Sequence, residues 1–70
     1  MLTWWRFKDL LSLEVVDFDD RRKAEEKFYE EATLWMGDWD DCQVQEFEGE
    51  LFLLDENGVD IMTMTKEYRV

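Results

Sequence analysis

CQVQEFEGELFLLDENGVDIMTMTKEYRV, residues 42–70, is the stretch whose reading decides the fold. Its apolar and polar residues alternate with a period near two, the signature of strands with unlike faces. Asn57-Gly58 interrupts the alternation with a pair that tolerates positive φ, a strong short-range hairpin signal. Glu48-Gly49 reads as a second turn or a bulge between strands over 42–47 and 50–54. The closing TMTKEYRV either prolongs the last strand or forms another short one.

Upstream the period changes. In DDRRKAEEKFYEEATLWMG, residues 19–37, Ala24, Phe28, Ala32 and Trp35 recur at steps of four, four and three, on one face of a long helix. Asp19 or Asp20 suits the N-cap, and Gly37 stands where a helix-ending glycine belongs. Arg21, Arg22 and Lys23 near the start and Glu30 and Glu31 nearer the end oppose the macrodipole's preference, a penalty of some tenths of a kcal/mol per charge. In the first eighteen residues, Trp4, Phe7, Leu11, Val15 and Phe18 fit a helical face, whereas LEVVDF fits a strand. The spacing predicts a short helix over about 3–12 and an extended piece over 13–18. The expected fold is α+β: a three- or four-stranded, mostly antiparallel sheet packed against one long helix, with a short N-terminal helix, in a single domain over 1–70.

Seventy residues lie near the lower limit at which a core stabilises a fold unaided. With 46% hydrophobic and 16% aromatic residues, the chain has the material for a core that a disordered acidic tail lacks. A single cysteine, Cys42, and no histidine leave neither an internal disulfide nor a zinc site, which fits a reducing compartment. MLTWWRFKDLL is interrupted by Arg6, Lys8 and Asp9, so it lacks the apolar run of a signal peptide, and no stretch is apolar enough to span a bilayer. The expected location is cytoplasmic.

The net charge of −11 is unevenly placed. Residues 1–27 hold seven acids and six bases; residues 28–65 hold eleven acids and no Lys or Arg; residues 66–70 add Lys66, Glu67 and Arg69. Without histidine there is little for acid–base chemistry near neutral pH, and Asp40 and Asp41 beside Cys42 disfavour its thiolate, so no enzyme activity is expected. DFDDRR from Asp17 and DWDDCQ from Asp38 lack the later ligands of a calcium loop, and neither a metal nor another cofactor is expected. Direct nucleic-acid binding and a membrane surface are disfavoured for want of bases.

The acids themselves remain as the candidate site. If the strand ran straight through Gly49, Glu46, Glu48 and Glu50 would form a row about 6.6–6.8 Å apart. Asp55, Glu56 and Asp60 belong to the adjoining hairpin; Asp38, Asp40 and Asp41 belong to the approach to the sheet. Trp39 among them suits an apolar anchor. Such a surface would compete with phosphates for the Lys and Arg of a nucleic-acid-handling protein, binding as a DNA or RNA mimic and acting as an inhibitor or modulator. In size and charge the chain resembles the small acidic inhibitors that phages and mobile elements encode against host nucleases, polymerases or defence systems; the resemblance is one of class, with no motif behind it. The alternative is a structural or assembly module, a homodimer or accessory subunit, whose exposed aromatics make contact while the acids keep it soluble. Trp4 and Trp5, adjacent on the expected helix, would then leave one indole for such an interface.

Overall fold

The computed structural model describes residues 1–38 and 42–70. In chain order the elements are β1 (Leu2–Asp9), β2 (Val15–Phe18), α1 (Arg21–Asp38), β3 (Gln43–Phe47), β4 (Glu50–Leu54) and β5 (Asp60–Arg69). The strands form one five-stranded sheet in the order β2-β1-β5-β4-β3, every neighbour antiparallel. The longest strand, β5, is therefore central, and it joins the N-terminal hairpin β1–β2 to the C-terminal strands.

The expected N-terminal helix is replaced by β1, and the sheet has five strands rather than three or four. The reason is tertiary. β1 lies between β2 and β5, with side chains engaged on both faces, so it lacks the clean apolar–polar alternation of a half-buried strand. Trp5 and Phe7 point to the helix side, where Phe7 faces Met64 across the ladder. Trp4, Arg6 and Lys8 point the other way. The helical spacing of Trp4, Phe7 and Leu11 is thus accidental: the first two lie on opposite faces, and Leu11 is exposed in the turn to β2. Asp9 builds that turn, its carboxylate accepting the backbone N–H of Leu11 at 2.9 Å and Ser12 at 3.1 Å. Leu13 completes it at φ 66°.

The long helix forms where its periodicity places it. Asp20 caps it, accepting the Arg22 N–H at 2.8 Å. Ala24, Phe28 and Ala32 are buried, with Trp35 packed alongside. The two alanines keep that face narrow enough to lie close over the sheet. α1 covers β2, β1, β5 and β4, whereas β3 projects toward its margin. Phe7, Phe28, Leu51, Leu53, Met62 and Met64 form the fully buried centre of the core. Each Å² of apolar area that this cluster removes from water stabilises the fold by about 25 cal/mol.

Both expected turns are present, each with its own geometry. Glu48 (φ 51°) and Gly49 (φ 83°) make a two-residue turn with both central residues left-handed, as a type I′ hairpin requires. In the β4–β5 connection only Gly58 is left-handed, at φ 78°; Asn57 is not. Asp55 supplies the closure: its carbonyl accepts the Gly58 N–H at 3.0 Å, and its carboxylate accepts those of Asn57 and Val59. The register shift at Leu53/Leu54 lies beside this turn.

Candidate functional site

The two turns stand at opposite ends of β4, separated by its five residues, roughly 17 Å at strand rise. This divides the acids. At one end, Glu46, Glu48 and Glu50 surround the β3–β4 turn. They make no single row, because the chain reverses at Glu48-Gly49: Glu46 pairs with Leu51 and shares the helix-side face, whereas Glu50 pairs with Phe47 on the uncovered face. At the other end, Asp55, Glu56 and Asp60 gather around the β4–β5 turn, beside Leu54 and its partner Gln43. Asp38 closes α1. Its side chain, and Trp39, Asp40 and Asp41 entirely, lie outside the described residues.

The acids also differ in what already holds them. Glu50 accepts the Lys66 backbone N–H at 2.9 Å, extending the β4–β5 ladder beyond its last strand pair. Asp55 is committed to its turn. Glu46 lies 3.5 Å from the Arg21 guanidinium. Glu48, Glu56 and Asp60 have neither ion-pair partner nor side-chain hydrogen bond among the described residues and are exposed. They are the free charge of the candidate site.

Arg21 is the functional-looking residue that sequence reasoning underrated. Its Nε and Nη2 donate to Gly49 O at 3.1 and 3.0 Å, while Nη1 binds Glu25 and Nη2 approaches Glu46. The guanidinium also lies 5.5 Å from the Trp5 ring centre, and Lys66 approaches the same indole at 6.0 Å. A base at a helix N-terminus opposes the macrodipole, but here it fastens α1 to the β3–β4 turn. The only signal in the sequence was the misplacement itself.

On the opposite side of the sheet Arg6 bonds Asp17 through Nε at 2.8 Å and approaches Glu67 at 3.5 Å. The hydrogen bond from Arg6 holds the Asp17 carboxyl below its ordinary value, and the same bond raises Arg6. Trp4 lies beneath this guanidinium, half-buried, its Nε1 without a hydrogen bond and adding only a weak pull on Asp17. A shallow groove of about 340 Å³ opens beside Trp4, Phe18 and Arg69. Lys27 bonds Glu31 at 2.9 Å and approaches Glu14 at 3.5 Å; chiefly the Glu31 bond raises its pKa.

Cys42 is buried in the core. Among the described residues no three Asp, Glu, Cys or His side chains are grouped to hold a metal, and no helix is long and apolar enough to cross a membrane. Chemically, the described residues of the site present exposed carboxylates around both ends of β4. Comparison with protein-family models, curated proteins and solved structures gives no match, so fold and charge layout alone carry the functional argument.

Proposed function

We propose that this chain is a non-enzymatic binding protein whose acidic half occupies the basic surface of a nucleic-acid-handling protein, as an inhibitor or modulator. One observation carries the reading. β3, β4 and the turns at both ends of β4 contain no Lys or Arg, and there Glu48, Glu56 and Asp60 stand exposed without a cation among the described residues. Many acids elsewhere meet bases: Asp17 and Glu67 meet Arg6, Glu25 meets Arg21, Glu26 meets Arg22 and Glu14 meets Lys27, although among the described residues Glu30 on α1 does not. Uncompensated carboxylates on a small rigid sheet raise the local concentration of cationic partners and speed their encounter.

A pulldown from lysate at low and rising salt, read by mass spectrometry, tests the proposal. A charge-driven partner dissociates between about 100 and 500 mM salt, as the Debye length contracts. Glu48→Gln with Glu56→Gln and Asp60→Asn should weaken capture and flatten its salt dependence. Unchanged capture by this triple variant would refute the reading. The uncovered sheet face favours a second reading, an assembly module or homodimer, because Trp4 and Phe52 lie half-exposed there. That interface would survive high salt and appear as an oligomer in light scattering.

A further inference from the structure

We infer that β3 is a docking edge, and that its occupant is an extended, basic segment of the partner, added as a sixth strand alongside Gln43–Phe47. This deepens the proposed function and rests on it.

The argument starts from hydrogen bonding. Among the described residues β3 ends the sheet and is paired only to β4, so one side of its backbone presents donors and acceptors that no described residue meets. None of the other backbone hydrogen bonds among the described residues involves Gln43–Phe47. Edge strands are ordinarily blunted by lysine, proline, a bulge, shortness or a covering element. The opposite edge, β2, is only four residues long and lies under α1. β3 has no lysine or proline, pairs with β4 in unbroken register, and projects toward the margin of the helix. Its side chains are exposed except Val44, and Phe47 is 65% exposed. An open ladder of this kind takes an extended peptide by main-chain pairing, with alternate side chains giving specificity.

Charge selects the occupant. Glu48 follows one end of β3, with Glu46 inside the strand and shared with Arg21; beyond the other end lies Asp55, whose carboxylate also holds its turn, next to Leu54, the partner of Gln43. A second copy would bring a second chain of net charge −11, and antiparallel β3–β3 pairing would place like-charged hairpins together. A strand with alternating Lys or Arg would set its cations beside these carboxylates.

The test uses the full chain and three short synthetic probes: alternating Lys and Val, the same peptide fully N-methylated, and alternating Glu and Val. Amide hydrogen exchange is followed residue by residue. The Lys–Val peptide should slow exchange within Gln43–Phe47 by about tenfold, and N-methylation should weaken its binding by about tenfold or more. Gln45→Lys, which charges the open edge without touching the core, should weaken it likewise. The Glu–Val peptide should leave exchange unchanged. Equal binding of the N-methylated probe would overturn edge pairing while sparing the charge-based reading. Protection confined to other strands, or no binding of the Lys–Val probe, would overturn it too. Concentration-dependent protection of β3 without any peptide would make a second copy the occupant and overturn the assignment.

Discussion

The two flanks of β5 are built from the same hairpin plan and differ in how they treat charge. On the β1–β2 side, Arg6 is shared by Asp17 and Glu67, and Lys27 ties the helix to Glu14. On the β3–β4 side the single base that arrives is Arg21, lent by the helix, and it is used for Gly49, Glu25 and Glu46. Beyond its reach Glu48, Glu56 and Asp60 have no ion-pair partner among the described residues. The difference teaches that the charge is unevenly placed: one flank pairs many of its acids with bases, and the other keeps exposed carboxylates whose field is uncompensated.

The widest contrast between the flanks is in burial, and two phenylalanines measure it. Phe7 on β1 is fully buried against Met64 and the helix, whereas Phe47 on β3 is 65% exposed. Phe7→Ala should destabilise by about 3–5 kcal/mol, enough to unfold much of a domain this small. Phe47→Ala should stay within about 0.5 kcal/mol. Urea denaturation of both variants checks this; equal losses would show that β3 is as deeply embedded as β1.

Next in size is the seam where the flanks meet the helix. Arg21→Ala removes the donors to Gly49 O and the cation beside Trp5, and should cost about 1–2 kcal/mol, partial exposure limiting the loss. Gly49→Ala should cost a similar 1–2 kcal/mol, roughly, because φ 83° strains any side chain. An alanine Cβ would meet only ordinary contacts, 3.7 Å to Trp5 and 3.8 Å to Arg21, so backbone strain is the whole effect. If thermal unfolding showed Arg21→Ala to be neutral, the dipole-opposed placement of the base would need another explanation.

How much of this was legible in the sequence follows the same division. The C-terminal hairpins and the helix were, because local chemistry specifies them: Ala24, Phe28 and Ala32 keep one face, and Gly49 and Gly58 stand at the left-handed positions. β1 was not. A strand engaged on both faces has no period to detect, and a chance helical spacing filled the gap. The sides of Glu46, Glu48 and Glu50 depend on whether Glu48-Gly49 bulges or turns, which is settled by the antiparallel pairing of β3 with β4. Arg21's role needed the third dimension entirely, since Gly49 is 28 residues away.

The Arg6–Asp17 pair gives the neutralised flank a pH signature. Asp17's folded pKa is depressed below its ordinary 3.8, chiefly by the Arg6 hydrogen bond. Its contribution is therefore present above about pH 4 and lost as pH falls through the lower, folded value. With half the carboxylate exposed, Asp17→Asn should cost under about 1 kcal/mol at neutral pH. The gap between variant and parent should close in urea titrations as pH falls through that lowered folded value, where both side chains become uncharged. A gap that persisted in acid would assign the loss to packing and not to the ion pair.

The smallest expected effect bears most directly on why the acidic flank exists. Glu48, Glu56 and Asp60 have no ion-pair partner or side-chain hydrogen bond among the described residues, so neutralising them removes repulsion and no attraction. Glu48→Gln, Glu56→Gln and Asp60→Asn should each shift stability by no more than about 0.5 kcal/mol, with the balance toward stabilisation. Added salt should stabilise the parent more than the triple variant, because it screens the same repulsion that the substitutions delete. A triple variant clearly less stable than its parent would mean that these carboxylates serve the fold, and the contrast between the flanks would vanish. A more stable variant with weakened partner capture would instead show charge retained against the interest of stability, which is the pattern a binding surface leaves.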